Sequence, residues 1–291
     1  MFKRIFLTLF STSLFLTGLA QADTAKNVMP LTVGNATVTI LNDVTGEGKT
    51  DILIGASEQD IKTYIPSGNY NSVINAFLLQ IDGKNILIDA GLGKNLLASL
   101  SAQNVDPKSI DTILVTHMHP DHIGGLLNEN GEAVFTQADV YISEKEKAFW
   151  QANVDAKQAH TVLTVYKDKV HSFEPQQLQE LKNELISGIK AIAAYGHTPG
   201  HTAFLLESNG KKLLFWGDIT HVTPIQFPKP EVAVTYDTTP AEAIQTRLEI
   251  LKFVSEEKIP VAGAHVKGFG YIRSGTAPNA YALEELNPSQ P

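Results

Sequence analysis

The spacing of apolar and polar residues predicts two similar pairs of β-strands. Apolar runs at residues 73–81 and 84–91 flank an Asp-Gly pair, and runs at residues 202–207 and 211–218 flank an Asn-Gly pair. Asp-Gly and Asn-Gly between such runs are typical of tight β-hairpin turns. We therefore expect related strand pairs in the two halves of the chain, as in a sandwich of two sheets.

Apolar residues at helical spacing predict two helices. One begins at Ser143, a favourable N-cap, and extends to Trp150. The other begins at Pro240 and extends to about Glu257, with apolar residues every three or four positions. Because strands and helices are mixed along the whole chain, we expect an α/β or α+β fold with helices covering sheets.

The first 22 residues have the layout of a secretory signal peptide. Two basic residues precede an apolar stretch at residues 5–19, and Ala20-Gln-Ala22 forms a small-residue cleavage site. The apolar stretch is too short for a helix that spans a bilayer, so we expect no stable membrane anchor. Cleavage after Ala22 would leave residues 23–291 as one domain in the periplasm or outside the cell.

Composition changes this picture in two ways. The 291 residues include no cysteine, which excludes disulfides and a lipid-modified cysteine. Loss of Lys3 and Arg4 with the leader takes the formal net charge from −8 to −10. Because no basic cluster remains, we expect a small-molecule substrate and no nucleic acid partner.

Four candidate metal ligands lie within six residues. His117, His119, Asp121 and His122 follow an apolar run at residues 110–115, and a helix could start at the two glycines after them. Imidazole and carboxylate groups are ligands for zinc and similar metals. A tight turn at the end of a strand could aim all four side chains at one point.

Three further candidates, His197, Asp218 and His265, each follow a predicted strand. With the first cluster they make five histidines and two aspartates, which is enough for two divalent metal ions. We expect zinc, although the same ligands accept Mn, Co or Fe.

This set resembles the ligand pattern of the metallo-β-lactamase superfamily over nearly the whole of residues 23–291. The resemblance implies a single domain with a four-layer αββα sandwich and the metals at one edge of the sheets. It also implies the ligands, with His117, His119 and His197 on the first metal, Asp121, His122 and His265 on the second, and Asp218 bridging them. Two such ions lower the pKa of a shared water towards neutral, and Asp121 or Asp218 is expected to move a proton to the leaving group.

Within the superfamily, the chain is most similar to methyl parathion hydrolases and their esterase- or lactonase-like relatives. The similarity lies in THMHPDHIGGL, in residues 146–150, in GHTPGHT and in the segment after His265. It implies that Trp150 lines a leaving-group pocket, whereas packing at a helix end is the alternative. The loop at residues 92–97 has no aromatic residue, so a flexible ester or lactone is as well supported as a phosphotriester. Some exported relatives form homodimers, which leaves a homodimer open here.

Four other residues are candidates for the surroundings of the metals. By resemblance, Asp89 would orient a ligand histidine. His201 would act behind the ligands or in the fold alone, and His221 would face the substrate or the solvent. Phe269 is expected to wall the pocket because it is close to His265 in sequence.

Other functions remain as alternatives to a hydrolase of esters, lactones or phosphotriesters. The alternative substrate is an N-acyl homoserine lactone. A β-lactamase is disfavoured, because the true β-lactamases of the superfamily use a cysteine ligand or lack the bridging aspartate, whereas this chain has no cysteine and has Asp218. An iron-dependent oxidoreductase is disfavoured by the leader, and a glyoxalase II by the short chain after His265. A non-catalytic metal-binding protein is disfavoured by the complete ligand set.

Overall fold

The structure is a computed structural model that describes residues 30–286. The proposed leader, residues 1–22, therefore lies outside the described residues. Strands in this range are, in chain order, β1 (Leu31–Val33), β2 (Ala36–Lys49), β3 (Leu53–Ile54), β4 (Asn69–Ile81), β5 (Lys84–Ile88), β6 (Thr112–Leu114), β7 (Asp139–Ser143), β8 (Val170–Phe173), β9 (Ile189–Ala193), β10 (Thr202–Ser208), β11 (Lys211–Phe215), β12 (Ala233–Val234), β13 (Pro260–Ala262), β14 (Gly270–Ser274) and β15 (Tyr281–Glu285).

The α-helices in the same range are α1 (Glu58–Tyr64), α2 (Leu96–Ala102), α3 (Pro120–Ile123), α4 (Glu144–Ala152), α5 (Lys157–Val165), α6 (Thr223–Gln226) and α7 (Pro240–Glu256). The helices predicted after Ser143 and from Pro240 are confirmed as α4 and α7. The side chain of Ser143 caps α4 by accepting a hydrogen bond from the backbone of Glu146. Within residues 30–286, every helix is too short or too polar to cross a membrane.

Two main sheets face each other. One has seven strands in the order β1-β2-β4-β5-β6-β7-β8, and the other has six in the order β15-β14-β13-β11-β10-β9. The predicted hairpins are the antiparallel pairs β4–β5 and β10–β11. The first residues of their turns, Asp82 and Asn209, have φ of 49° and 45°, which short polar side chains tolerate.

Three apolar clusters fill the spaces between four layers. The central cluster joins the two sheets, and in it the rings of Phe77 and Phe215 are 5.3 Å apart. Leu100 of α2 and Val162 of α5 cover the outer face of the first sheet, and Leu251 of α7 covers that of the second. This is the expected αββα sandwich in one domain. Burial of each such large side chain contributes about 1.5–3 kcal/mol.

Candidate metal centre

The candidate ligands lie at one edge of the sandwich because the strands before them run in the same direction. In the first sheet β5 is parallel to β6, and in the second β11 is parallel to β13, with β9 in the same direction as β11. Ligands therefore follow the carboxyl ends of strands from both sheets, where loops of such folds commonly bind ligands. The sandwich brings together residues as distant in sequence as His117 and His265.

The segment after β6 differs from the expected turn. His117 and His119 lie in a loop, whereas Asp121 and His122 lie in α3, which begins at Pro120. The helix expected to start at the glycines therefore starts four residues earlier. Proline at the first helical position is favourable because its missing N–H has no intrahelical partner there. Gly124 and Gly125 instead form a 3₁₀ turn that packs against the backbone at Leu92 and Ala90.

The first ligand group contains His117, His119, His197 and Asp218. His119 Nδ1 is 2.9 Å from Nε2 of both His117 and His197. Asp218 Oδ2 is 3.6 Å from His117 Nε2 and 3.3 Å from His197 Nε2. The ligand atoms of the group lie within 4.8 Å of one another, so they converge on one point.

The second group contains Asp121, His122, His265 and, again, Asp218. Asp218 Oδ1 is 3.1 Å from His122 Nε2, and its Oδ2 is 3.3 Å from His265 Nε2. Asp121 Oδ2 is 3.4 Å from His265 Nε2. Asp218 therefore belongs to both groups, as a bridging carboxylate would.

The residues present fit a pair of metal ions. His122 Nε2 and Asp218 Oδ1 are 3.1 Å apart but are not aligned for a hydrogen bond, and neither of these buried atoms has a hydrogen-bond partner among the described residues. Buried polar atoms are seldom left unpaired, because the loss of their hydration costs about 1–3 kcal/mol each. Three imidazoles with one carboxylate, beside two imidazoles with two carboxylates, are suited to zinc and similar divalent ions.

Asp89 holds two of the ligand histidines in orientation. Its carboxylate accepts hydrogen bonds from His122 Nδ1 at 2.7 Å and from the Thr116 hydroxyl at 2.7 Å. Thr116 in turn accepts from His117 Nδ1, which is 3.1 Å away. Each ring therefore keeps a proton on Nδ1 and directs Nε2 towards the other candidate ligands.

A second buried carboxylate, Asp237, orients His197. Its Oδ1 accepts a hydrogen bond from His197 Nδ1 at 2.9 Å, and the Arg247 guanidinium lies 3.8 Å from its Oδ2. Arg247 is buried and donates to three backbone carbonyls, one of which belongs to Ile219, next to Asp218. Arg247 of α7 thus supports both the carboxylate that orients His197 and the backbone next to Asp218.

The two groups differ in their electrostatics. Burial holds the pKa of His117 and His197 well below the usual value and lowers the pKa of His119 to about 4, so these imidazoles are neutral donors. Burial also opposes a charge on His122, but the carboxylates of Asp218 and Asp89 outweigh it and raise the pKa of His122 well above the usual value. The second group therefore favours a positive charge strongly.

His201 and His221 surround Asp218 without belonging to either group. His201 Nε2 accepts a hydrogen bond from the Asp218 backbone N–H, and its Nδ1 donates to the Ala194 carbonyl. This histidine therefore fixes the backbone of the residue that the two groups share. His221 Nε2 is 2.9 Å from Asp218 Oδ2, and its ring stacks on His265 at 4.7 Å. His221 lines the cavity and thus faces the site, not the bulk solvent.

A cavity of about 550 Å³ opens above the ligands. Asp121, His221 and His265 form part of its floor, while Tyr70 and Tyr236 stand in its walls. Tyr70 and Tyr236 were not predicted to line the cavity, because no pattern in the sequence places these two tyrosines close together. Tyr70 lies on β4, where this strand pairs with the end of β2, and Tyr236 lies in the segment before α7.

Both aromatic candidates lie away from the cavity, which corrects the expectation for Phe269 and agrees with the packing alternative for Trp150. Phe269 does not wall this cavity, since it is 1% exposed and packs in the apolar cluster between the sheets. Trp150 packs against the core and lies edge-on to His119, with ring centroids 5.4 Å apart, but does not line the cavity. Phe269 is close to His265 in sequence, but the Phe269 side chain points between the sheets and so does not reach the cavity.

Sequence reasoning also missed Glu146, Thr116, Asp237 and Arg247. Glu146 could have been found, because it lies one helical turn before Trp150 and therefore shares a face with it. Thr116 directly precedes His117, but threonine is common at the end of a strand, so its identity alone did not indicate a role in the site. No local sequence pattern indicated a role for Asp237 or Arg247, because the residues that they contact are distant in sequence.

The described geometry agrees with comparisons to known proteins. A family model described as the metallo-beta-lactamase superfamily matches residues 70–263. The crystal structure of the hydrolase AbOPH, in the beta lactamase superfamily, is 28% identical and has a TM-score of 0.78, covering 89% of this chain and 97% of that one. The dizinc quorum-quenching lactonase AidC is 24% identical with a TM-score of 0.80, over 89% and 97% of the chains. At that identity the likeness to AidC shows the fold.

Curated relatives match over shorter segments. The uncharacterized protein YobT of Bacillus subtilis is 29% identical over 143 residues, which is 47% of this chain and 58% of YobT. The exodeoxyribonuclease WalJ of Streptococcus pneumoniae is 37% identical over 95 residues, which is 30% of this chain and 33% of WalJ. The chain thus spans between a third and three-fifths of the length of these relatives.

Proposed function

Because the chain belongs to the metallo-β-lactamase superfamily and is a metal-dependent hydrolase, we propose that it is dinuclear and cleaves small esters, lactones or phosphotriesters. The observation that carries this proposal is the position of Asp218, which belongs to both ligand groups. When bound, two divalent ions supply Lewis acidity and lower the pKa of water, so that a nucleophile is available near neutral pH. Zinc is the proposed metal, with Mn, Co or Fe as alternatives.

The chain's own residues provide the remaining chemistry. Asp121 has 26% of its side chain exposed and lines the cavity, whereas Asp218 has 1% exposed. Asp121 is therefore the better placed of the two carboxylates to carry a proton to a leaving group. His221 can donate a hydrogen bond to Asp218 Oδ2 and so keep that carboxylate fixed.

The cavity supports a small, largely uncharged substrate. Tyr70, Tyr236, Ile52 and Ile74 offer apolar surface, and among the described lining residues Lys49 is the only lysine or arginine. A nuclease needs several cationic side chains to track a phosphate backbone. This lining and the acidic net charge favour a small molecule over nucleic acid, although nucleases occur among the relatives.

Export and the absence of a membrane anchor remain part of the proposal. They rest on the layout of residues 1–22, with cleavage after Ala22 placing the enzyme in the periplasm or outside the cell. Sequencing the N-terminus of protein recovered from the periplasm and medium tests this. A chain that begins at Asp23 is expected, and one that keeps Met1 inside the cell would contradict export.

A substrate panel tests the proposed activity. Purified protein is offered a long-chain acyl homoserine lactone, an aryl ester, a methyl phosphotriester, a β-lactam and single-stranded DNA, each before and after chelation. We expect turnover of an ester, lactone or phosphotriester that stops on chelation and is lost in Asp218→Ala. Preferential cleavage of DNA or of the β-lactam, or undiminished rates in Asp218→Ala, would refute the proposal.

A further inference from the structure

Glu146, in the first turn of α4, has a buried carboxylate that four hydrogen-bond donors surround. Its Oε1 accepts from the Met118 backbone N–H at 2.9 Å and from Trp150 Nε1 at 2.5 Å. Its Oε2 accepts from the Thr198 hydroxyl at 2.6 Å and from the Gly200 backbone N–H at 3.1 Å. Four donors for two oxygens are what a fully buried carboxylate needs in place of water.

Three of the four donors come from the two loops that carry the histidines of the first ligand group, and the fourth, Trp150, lies in α4 itself. Met118 lies between His117 and His119, and Thr198 directly follows His197. The two loops are 78 residues apart in sequence, measured between His119 and His197. One carboxylate therefore ties the backbone of one ligand loop to the other.

The start of α4 is docked on the second loop by further contacts. The Ser143 hydroxyl donates to the Gly200 carbonyl at 2.7 Å and accepts from the Glu146 backbone N–H at 3.2 Å. A Cβ atom at Gly200 would overlap the backbone of Glu146. Glycine is thus required for this close approach, and the position of Glu146 relative to the loop is well determined.

Trp150 extends the same arrangement to the far side of His119. Its indole N–H is held by Glu146, and its ring lies edge-on to the His119 ring with centroids 5.4 Å apart. Glu146 therefore fixes the backbone beside His119 and the aromatic ring that packs against that histidine.

We infer that Glu146 is a positioning residue for the metal centre, which sets the spacing of His117 and His119 relative to His197. The inference rests on the proposed dinuclear function. It requires a carboxylate specifically, because a glutamine has one acceptor oxygen and its NH₂ group would face two of the four donors. The histidines of the first group, not those of the second, depend on this residue.

The experiment is a competition between the metal-free protein and a chromophoric chelator for Zn²⁺, which gives the affinity of each bound ion without any substrate. In Glu146→Gln we expect the affinity for one of the two ions to fall by about 10–100-fold, the range found when groups behind metal ligands are removed. The visible spectrum of the Co²⁺ form should change as well. Glu144→Gln, an exposed position in the same helical turn, is the matched control and should bind as the wild type does.

Thr198→Val keeps the size of the side chain and removes a single donor, so it carries the test if Glu146→Gln does not fold. A smaller but measurable loss of the same affinity is expected. The inference is overturned if the variant that folds binds both Zn²⁺ ions with affinities within twofold of those of the wild type. If the wild-type protein binds two ions but cleaves no substrate of the panel, the proposed function is contradicted. The affinities still test the role of Glu146 in that case, because they are measured without a substrate.

Discussion

Asp237 accepts a hydrogen bond from Nδ1 of His197 at 2.9 Å, and both side chains are buried beneath the metal centre. The same carboxylate lies 3.8 Å from the guanidinium of Arg247. One acidic group thus orients a metal ligand on one side and offsets a buried cation on the other. Loss of this carboxylate should therefore affect both metal binding and stability.

We expect Asp237→Ala to weaken Zn²⁺ binding by about 10–100-fold, because His197 loses the acceptor that fixes its ring. It should also lower the free energy of unfolding by about 3–5 kcal/mol, since Arg247 is left buried without an acidic partner. Chelator competition and urea unfolding of the metal-free protein measure the two effects. Asp237→Asn keeps an acceptor for His197 and should bind metal better than the alanine variant, so equal losses in both variants would count against this role.

Thr116 offers a finer test of how the ligands are oriented. Its hydroxyl accepts from His117 and donates to Asp89, so Thr116→Val removes both hydrogen bonds while it keeps the shape of the side chain. We expect roughly tenfold weaker metal binding in Thr116→Val. Thr116→Ser retains the hydroxyl and is the control. The account is wrong on this point if the serine variant loses as much affinity as the valine variant.

The residues that converge at the candidate metal centre could be selected from the sequence because they are recognisable at short range. Three histidines and an aspartate within six residues, directly after an apolar run, indicate a metal site without knowledge of the fold. His197, Asp218 and His265 were found because each follows a predicted strand, and strands that run in one direction end at one edge. The hairpins at Asp82 and Asn209 were equally local signals.

What the sequence could not predict depends on contacts between distant segments. Glu146 and Asp237 resemble ordinary surface acids of a helix and a loop until the fold buries them against the histidine loops. Phe269 was placed in the pocket wall from its sequence position, but the packing between the sheets decides where its ring lies. The cavity wall at Tyr70 is formed where the long strands β2 and β4 pair beside the site, and no local pattern in the sequence shows how far these strands extend.

Gly48 on β2 determines where the Tyr70 ring lies. A Cβ atom at Gly48 would overlap that ring, so Gly48→Ala should push Tyr70 towards the cavity. We expect a several-fold higher KM for bulky substrates and little change in metal content. Gly46→Ala, on the same strand with no neighbouring atom within 4 Å of the added carbon, is the control. Steady-state kinetics with a short and a long acyl substrate measure the effect, and identical KM values in both variants would exclude this role of Gly48.

Metal removal should destabilise the protein as well as inactivate it. The ligands are buried and converge, so ions bind the folded chain and not the unfolded one. Free Zn²⁺ at 100 times its dissociation constant would stabilise the fold by about 2.7 kcal/mol for each site. Calorimetry with and without a chelator should show a lower Tm for the metal-free protein, restored by added Zn²⁺. An unchanged Tm would mean that the folded chain binds no metal under these conditions.

The central claim is that two ions act together across Asp218. The most direct measurement is a titration of the metal-free wild-type protein with Zn²⁺, in which native mass spectrometry counts the bound ions while hydrolysis is followed on the best substrate of the panel. We predict that the rate rises with the population that holds two ions and stays near background for the population that holds one. Full activity with a single ion per chain would contradict the claim.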